Sequence, residues 1–116
     1  MKYLLLIYDD PKVWASFTEE EVGKYMGEYR ALSQAISESG QMLSGAQLQP
    51  VSTATSVQVR EGKRLVHDGP FAETREVLGG FYLVEAKDLD EAIGIAARIP
   101  SAKVGTIEVR PLVERG

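Results

Sequence analysis

The chain contains no cysteine, which excludes disulfide bridges and thiolate zinc sites. Its single histidine, His67, means that an internal metal cage would have to be built almost wholly from carboxylates, and no metal is expected. Glycine-rich phosphate loops, nucleophile elbows and Cys/His arrangements are missing as well, so no cofactor is expected. Apolar runs are short. The amino-terminal one stops at Asp9-Asp10-Pro11, far below the roughly 20 residues that span a bilayer. It also lacks the small-residue cleavage site of a signal peptide, which makes the cytoplasm the expected compartment and a membrane partner unexpected. Lys and Arg number 13 against 17 Asp and Glu, for a formal charge of −4. With the signs interspersed there is no basic stripe to neutralise phosphates, and direct nucleic-acid binding is not expected.

What is present fits a single domain over residues 1–116, since such domains commonly run to about 100–150 residues. Lys2 to Tyr8 is a continuous apolar run of strand length, suited to a strand buried on both faces. Thr18 followed by Glu19, Glu20 and Glu21 is a capping box with acid in the first turn, where the helix dipole favours it. Val22, Tyr25, Met26, Tyr29, Leu32 and Ile36 then recur at helical spacing until Ser39-Gly40 supplies a stop. Gly23 and Gly27 are placed on the outer face of this helix.

Gln41 to Gln49 reads as a strand at a sheet edge, weakened by Gly45 and ended by Pro50. Ser56 to Arg60 and Lys63 to Asp68 flank Glu61-Gly62 as the arms of a hairpin. A three-residue loop, Arg60-Glu61-Gly62, is expected, because it pairs Val57 with Leu65 and avoids setting Arg60 against Lys63. Glu73 to Leu78 reads as a short polar connection with room for a helical turn. Gly79-Gly80 then opens a second strand apolar on both faces, Phe81 to Ala86. Asp88 with Glu91 caps a second helix whose stripe is Leu89, Ala92, Ile93 and Ala96, with Pro100 as its end. Thr106 to Arg110 closes the chain as a strand with Ile107 and Val109 inward.

This order describes an α+β, ferredoxin-like split βαβ sandwich with an added β-hairpin, in which the first strand and the Phe81 strand lie centrally. Two helices cover one face of such a sheet, yet both central strands are apolar on two. A homodimer that shelters the second face, closing a dimeric α/β barrel, is therefore expected.

With MKYLLLIY at the start, HDGPFAETREVLGGFYLVEA in the middle and IEVRPL near the end, the chain resembles the DGPF-motif branch of the YciI-like proteins over nearly its whole length. The resemblance implies a dimeric α/β barrel of the ferredoxin-like kind. For some relatives it implies an enzyme with a His and Asp pair in a cleft, and for this branch an association with extracytoplasmic-function sigma factors. The better-studied branch is associated with a histidine in its first helix, where this chain has Ser33 and Gln34, and DGPF relatives commonly have threonine where this chain has His67.

The candidate site is the polar, turn-rich stretch between the hairpin and the Phe81 strand. Asp68 and His67 are the candidate acid/base residues: an imidazole with a pKa of about 6.5 suits proton transfer near neutrality, and burial adjusts a carboxylate. Side chains of consecutive strand residues point to opposite faces, so the two form no dyad if both lie in the strand. Gly69, Pro70 and Phe71 would shape the loop, and Glu73, Thr74 and Arg75 would contact a small molecule, Arg75 or Arg110 suiting an anion. Tyr8 and Tyr82, near the ends of the central strands, complete the set. The bland alternatives are a surface His67, an Asp68 folded onto turn amides and Tyr8 and Tyr82 as packing aromatics. Two functions follow: a dimer binding an unidentified small molecule, with acid/base chemistry at this loop, or a regulatory module that docks a sigma factor.

Overall fold

Four strands form the sheet at the centre of the computed structural model, which describes residues 1–114. In chain order the elements are β1 (Lys2–Asp9), α1 (Pro11–Ala15), α2 (Glu19–Glu38), β2 (Met42–Gln47), β3 (Thr55–Arg60), β4 (Lys63–Asp68), β5 (Val77–Glu85), α3 (Leu89–Ala97) and β6 (Thr106–Pro111). Short 3₁₀ turns lie at Val51–Thr53 and Pro100–Lys103. The sheet runs β2-β5-β1-β6 with every neighbouring pair antiparallel. With the β3–β4 hairpin set apart, this is the ferredoxin-like order. The two strands that read as apolar on both faces are the central ones.

Alternation along β1 and β5 divides the sheet into two faces. Tyr3, Leu5, Ile7, Tyr82 and Val84 are buried under the helices, where they meet Leu32 and Ile36 of α2 and Ala92, Ile95 and Ala96 of α3. Each fully buried Leu or Ile of this set stabilises the fold by roughly 1.5–3 kcal/mol. Leu4, Leu6, Tyr8, Phe81 and Leu83 point the other way and are only half-buried.

The capping box at α2 forms as its spacing demands. Thr18 Oγ1 accepts the Glu21 N–H at 3.1 Å, and Glu21 Oε1 accepts the Thr18 N–H at 3.0 Å. Gly40, at φ 78°, takes the left-handed conformation after the helix end. Gly23 faces open space on the outer side, as expected.

Four local features differ from the sequence reading. Asp10-Pro11 ends β1 and also opens α1: Asp10 is the N-cap, its carboxylate accepting the Lys12 N–H, and Pro11 fills the first turn. On α3 the buried stripe is Ala92, Ile95 and Ala96, continued by Ile99, while Leu89 and Ile93 are half-exposed. Both stripes satisfy helical spacing, and the buried one uses small alanines for close approach to the sheet.

β5 begins at Val77, and the preceding residues hold bends instead of a helical turn. Gly79 and Gly80 lie inside the strand, and Gly79 is the extra residue of a bulge, skipped between the Ile7–Gly80 and Tyr8–Leu78 pairs. A Cβ on Gly80 would come 2.8 Å from the Ala46 carbonyl of β2, so the glycine serves a close approach of two strands and does not break one.

The hairpin has a two-residue loop, which corrects the expected three-residue one: Val57 pairs with Val66, and Arg60 with Lys63. Glu61 and Gly62 both take positive φ, 53° and 75°, as a type I′ turn requires to match the strand twist. The like charges of Arg60 and Lys63 are exposed, where water and salt screen them. Every hairpin residue except Ser56 is exposed. This projecting arm helps raise the Cα radius of gyration to 16.2 Å, above the about 13 Å of a compact chain this long.

Candidate functional site

A cleft of about 800 Å³ opens between the amino-terminal half of α2 and the sheet. Its floor is β2 and β5, where Gly45 pairs with Tyr82 and Gln47 with Gly80, and Gly45, Ala46, Gly79 and Gly80 are small residues of the lining. Val22, Met26, Tyr29 and Ser33 of α2 form one wall, and Trp14 of α1 with the Leu48–Ser52 segment forms the rim. Trp14 is fixed by edge contacts with Phe17 and Tyr25, whose rings stack on each other at 5.2 Å.

The polar groups converge at one end. Tyr29 Oη and Ser101 Oγ are hydrogen-bonded at 2.5 Å, and Ser101 Oγ donates to Asp9 Oδ2 at 3.4 Å. Ser33 Oγ and Tyr82 Oη form a second pair at 2.7 Å. Asp9 Oδ1 is buried and has no hydrogen-bond partner. Burial pushes the Asp9 carboxyl above its ordinary value, the nearby donors Trp14 and Ser101 act against that, and the charge of Glu76 adds to it. Burial also lifts the Tyr29 hydroxyl to about 12, with the nearby Asp9 contributing.

The next residue is shifted the other way. Asp10 is held below the ordinary carboxylate value, first by the Lys12 N–H and also by Arg75, whose Nε lies 3.3 Å from Asp10 Oδ2. Two adjacent carboxyls therefore divide their roles. Asp10 is an ionised cap that ties the loop before β5 to the start of α1, whereas Asp9, desolvated at the end of the cleft, binds a proton more readily than an ordinary carboxyl.

The residues singled out from the sequence lie mostly outside this cleft. His67 and Asp68 are both in β4, opposite Ser56 and Thr55, exposed and on opposite faces of the hairpin. Gly69, at φ 114°, donates its N–H to the Ala54 carbonyl at 2.7 Å and accepts from Ser56 Oγ at 2.8 Å, which anchors the turn. Pro70 is half-buried, Glu73 is exposed and Phe71 is 90% exposed. Thr74 Oγ1 donates to the Glu76 carbonyl at 2.6 Å. Tyr8 lies on the helix-free face of the sheet. Tyr82 lines the cleft, and Arg75 reaches its edge through Asp10.

Asp9, Tyr29 and Ser101 are polar residues of the cleft that the sequence reading did not single out for a site, and Ser33 was noted only as the place of a relative's histidine; Gln47, Gln49 and Ser52 line it as well. Asp9 shares its parity with Tyr3, Leu5 and Ile7, so strand alternation alone aims it at the core face. Ser33 lies four residues beyond Tyr29, on the apolar stripe of α2, where a hydroxyl is out of place. Ser101 carries no such mark, since its partners are 72 and 92 residues away in the chain.

The family comparison agrees with the architecture. The chain is 38% identical over 114 residues to an uncharacterised protein of Rhizobium meliloti (strain 1021), covering 97% of this chain and 92% of that one. The YCII-related domain matches residues 1–115, and the chain belongs to the YCII-related family.

Proposed function

We propose that the chain is a cytoplasmic homodimer of the DGPF branch whose cleft binds a small molecule and exchanges a proton with it through Asp9. The observation that carries this reading is Asp9, which lines the polar end of the cleft and has one carboxyl oxygen, Oδ1, buried without a hydrogen-bond partner. Native folds satisfy nearly all buried polar atoms, and the exceptions call for a purpose. Proton handling is such a purpose: a carboxylate whose proton affinity is raised by desolvation is a stronger base and can take a proton from a bound molecule. His67, Asp68 and the loop through Thr74 join the proposal only by way of a second copy, because in one chain they stand outside the cleft.

The half-exposed Leu4, Leu6, Phe81 and Leu83, which no helix covers, support the homodimer. Sedimentation equilibrium is expected to give twice the chain mass, and Leu6→Lys a folded monomer; a monomeric wild type at micromolar concentration overturns that part.

The test of the cleft is a thermal-shift screen of small molecules, followed by calorimetry on the best binder. Affinity is expected to fall about tenfold or more in Asp9→Asn, and the binding heat to vary with the ionisation enthalpy of the buffer. Binding that is indifferent to both the variant and the buffer refutes the proton role.

A second reading is favoured by the hairpin and Phe71. Val57, Val59 and Val66 are exposed on one face of the hairpin, and Leu65 on the other face and the Phe71 ring are exposed as well; apolar side chains so placed suit a protein partner such as an extracytoplasmic-function sigma factor. Co-sedimentation with the sigma factor, lost in Phe71→Ala but kept in Asp9→Asn, would decide for it.

A further inference from the structure

We propose that the cleft is selective by charge: it takes a largely apolar molecule that is neutral or cationic and carries a hydrogen-bond donor, and it rejects anions. This rests on the reading of the cleft as the ligand site. Among the described residues that line it there is no Lys, Arg or His, and the sole carboxyl is Asp9. The neighbouring cation, Arg75, is engaged with Asp10, and its side chain is 89% exposed. A carboxylate or phosphate entering the cleft would lose its hydration without gaining a counter-charge, and would meet Asp9 as a like charge. The anion-binding role open to Arg75 in the sequence is thus directed away from the cavity.

The hydrogen-bond directions specify the other half of the ligand. Ser101 gives its one hydroxyl hydrogen to Asp9, so in the Tyr29–Ser101 pair Tyr29 is the donor. Both hydroxyl hydrogens then run toward Asp9, whose Oδ1 is buried against Gly105, and the lone pairs of Tyr29 Oη are the unmet acceptors at this end of the cleft. A site whose open positions are acceptors favours an O–H or N–H donor. Val22, Met26 and Met42 supply the apolar contact, and the face of Trp14 at the rim suits a flat or cationic group.

The experiment uses Trp14, the only tryptophan of the chain, as its reporter. Phenethyl alcohol, phenethylamine, phenethyl methyl ether and phenylacetate, similar in size, are titrated at neutral pH against fluorescence excited at the red edge of tryptophan absorption. The alcohol and the amine are expected to give saturable responses, with the donor-free ether weaker. Phenylacetate is expected to bind at least about tenfold more weakly than the amine, and Asp9→Asn to narrow that gap. A series led by phenylacetate overturns the charge selectivity while leaving the cleft as a binding site. Absence of any saturable response overturns the selectivity together with the reading on which it rests.

Discussion

Ser101 donates its hydroxyl to the carboxyl of Asp9 across 3.4 Å, joining residues 92 positions apart, and Asp9's other oxygen stays buried and unmatched. The fold therefore carries a carboxyl that is easier to bury protonated than ionised. Because its folded pKa lies above the ordinary 3.8, the group favours the native state fully below 3.8, and this contribution is lost as pH rises through the raised value. Asp9→Asn removes the charge at constant shape. It is expected to be more stable than wild type at pH 7 by about 1 kcal/mol, the scale of one unsatisfied polar group. Chemical denaturation of both proteins from pH 3 to pH 7 checks this, since their difference should grow with pH.

Tyr29 gives a spectroscopic counterpart. Its hydroxyl is lifted to about 12 against an ordinary 10.0, so the contribution it makes to stability is complete below 10 and declines as pH climbs through 12. Ultraviolet titration of the five tyrosines should show a late-ionising component that Tyr29→Phe removes. Loss of the bond to Ser101 is expected to cost about 1 kcal/mol at neutral pH.

Glycine substitutions should separate backbone contact from backbone freedom. At Gly80 a Cβ would press on the Ala46 carbonyl at 2.8 Å, and backbone has little room to yield. Gly80→Ala is expected to destabilise by about 1–3 kcal/mol. Gly23 meets nothing within 4 Å and lies within α2, so Gly23→Ala should stabilise by about 0.5–1 kcal/mol. Thermal unfolding of the two variants, made singly, should move the midpoint in opposite directions.

The legible parts of this fold are those written in short stretches of chain. Thr18 and Glu21 cap each other three residues apart, and the parity of Tyr3, Leu5 and Ile7 marks a strand apolar on both sides. From these the ferredoxin-like order follows. The cleft depends on contacts of another kind: Tyr29 meets Ser101 across 72 residues and Ser33 meets Tyr82 across 49. No spacing rule reports such pairs before the sheet order is known. The dense Asp68–Arg75 stretch drew attention through composition, which does not distinguish a turn anchored at Gly69 from a pocket wall. Of the stretch and the tyrosines singled out, only Tyr82 lines the cleft, and it sits inside β5, which begins at Val77, four residues before the expected Phe81 start. Asp9 was masked by its company, for Asp9-Asp10-Pro11 reads first as a strand stop.

The hairpin offers the last test, because its register turned on a local conformation that the residue types disguise. Glu61 is a non-glycine residue held at φ 53°, a region that costs an L-residue roughly 1–2 kcal/mol and that asparagine tolerates better than glutamate. Glu61→Asn creates Asn-Gly, the preferred pair for a type I′ loop. It is expected to stabilise the hairpin by about 0.5–1 kcal/mol, read as slower amide exchange in the ladder around Val57 and Val66. In a three-residue loop Glu61 would not need a positive φ, and the same substitution would leave that exchange unchanged or faster. The sign of the effect thus reports the register directly, without reference to the rest of the molecule.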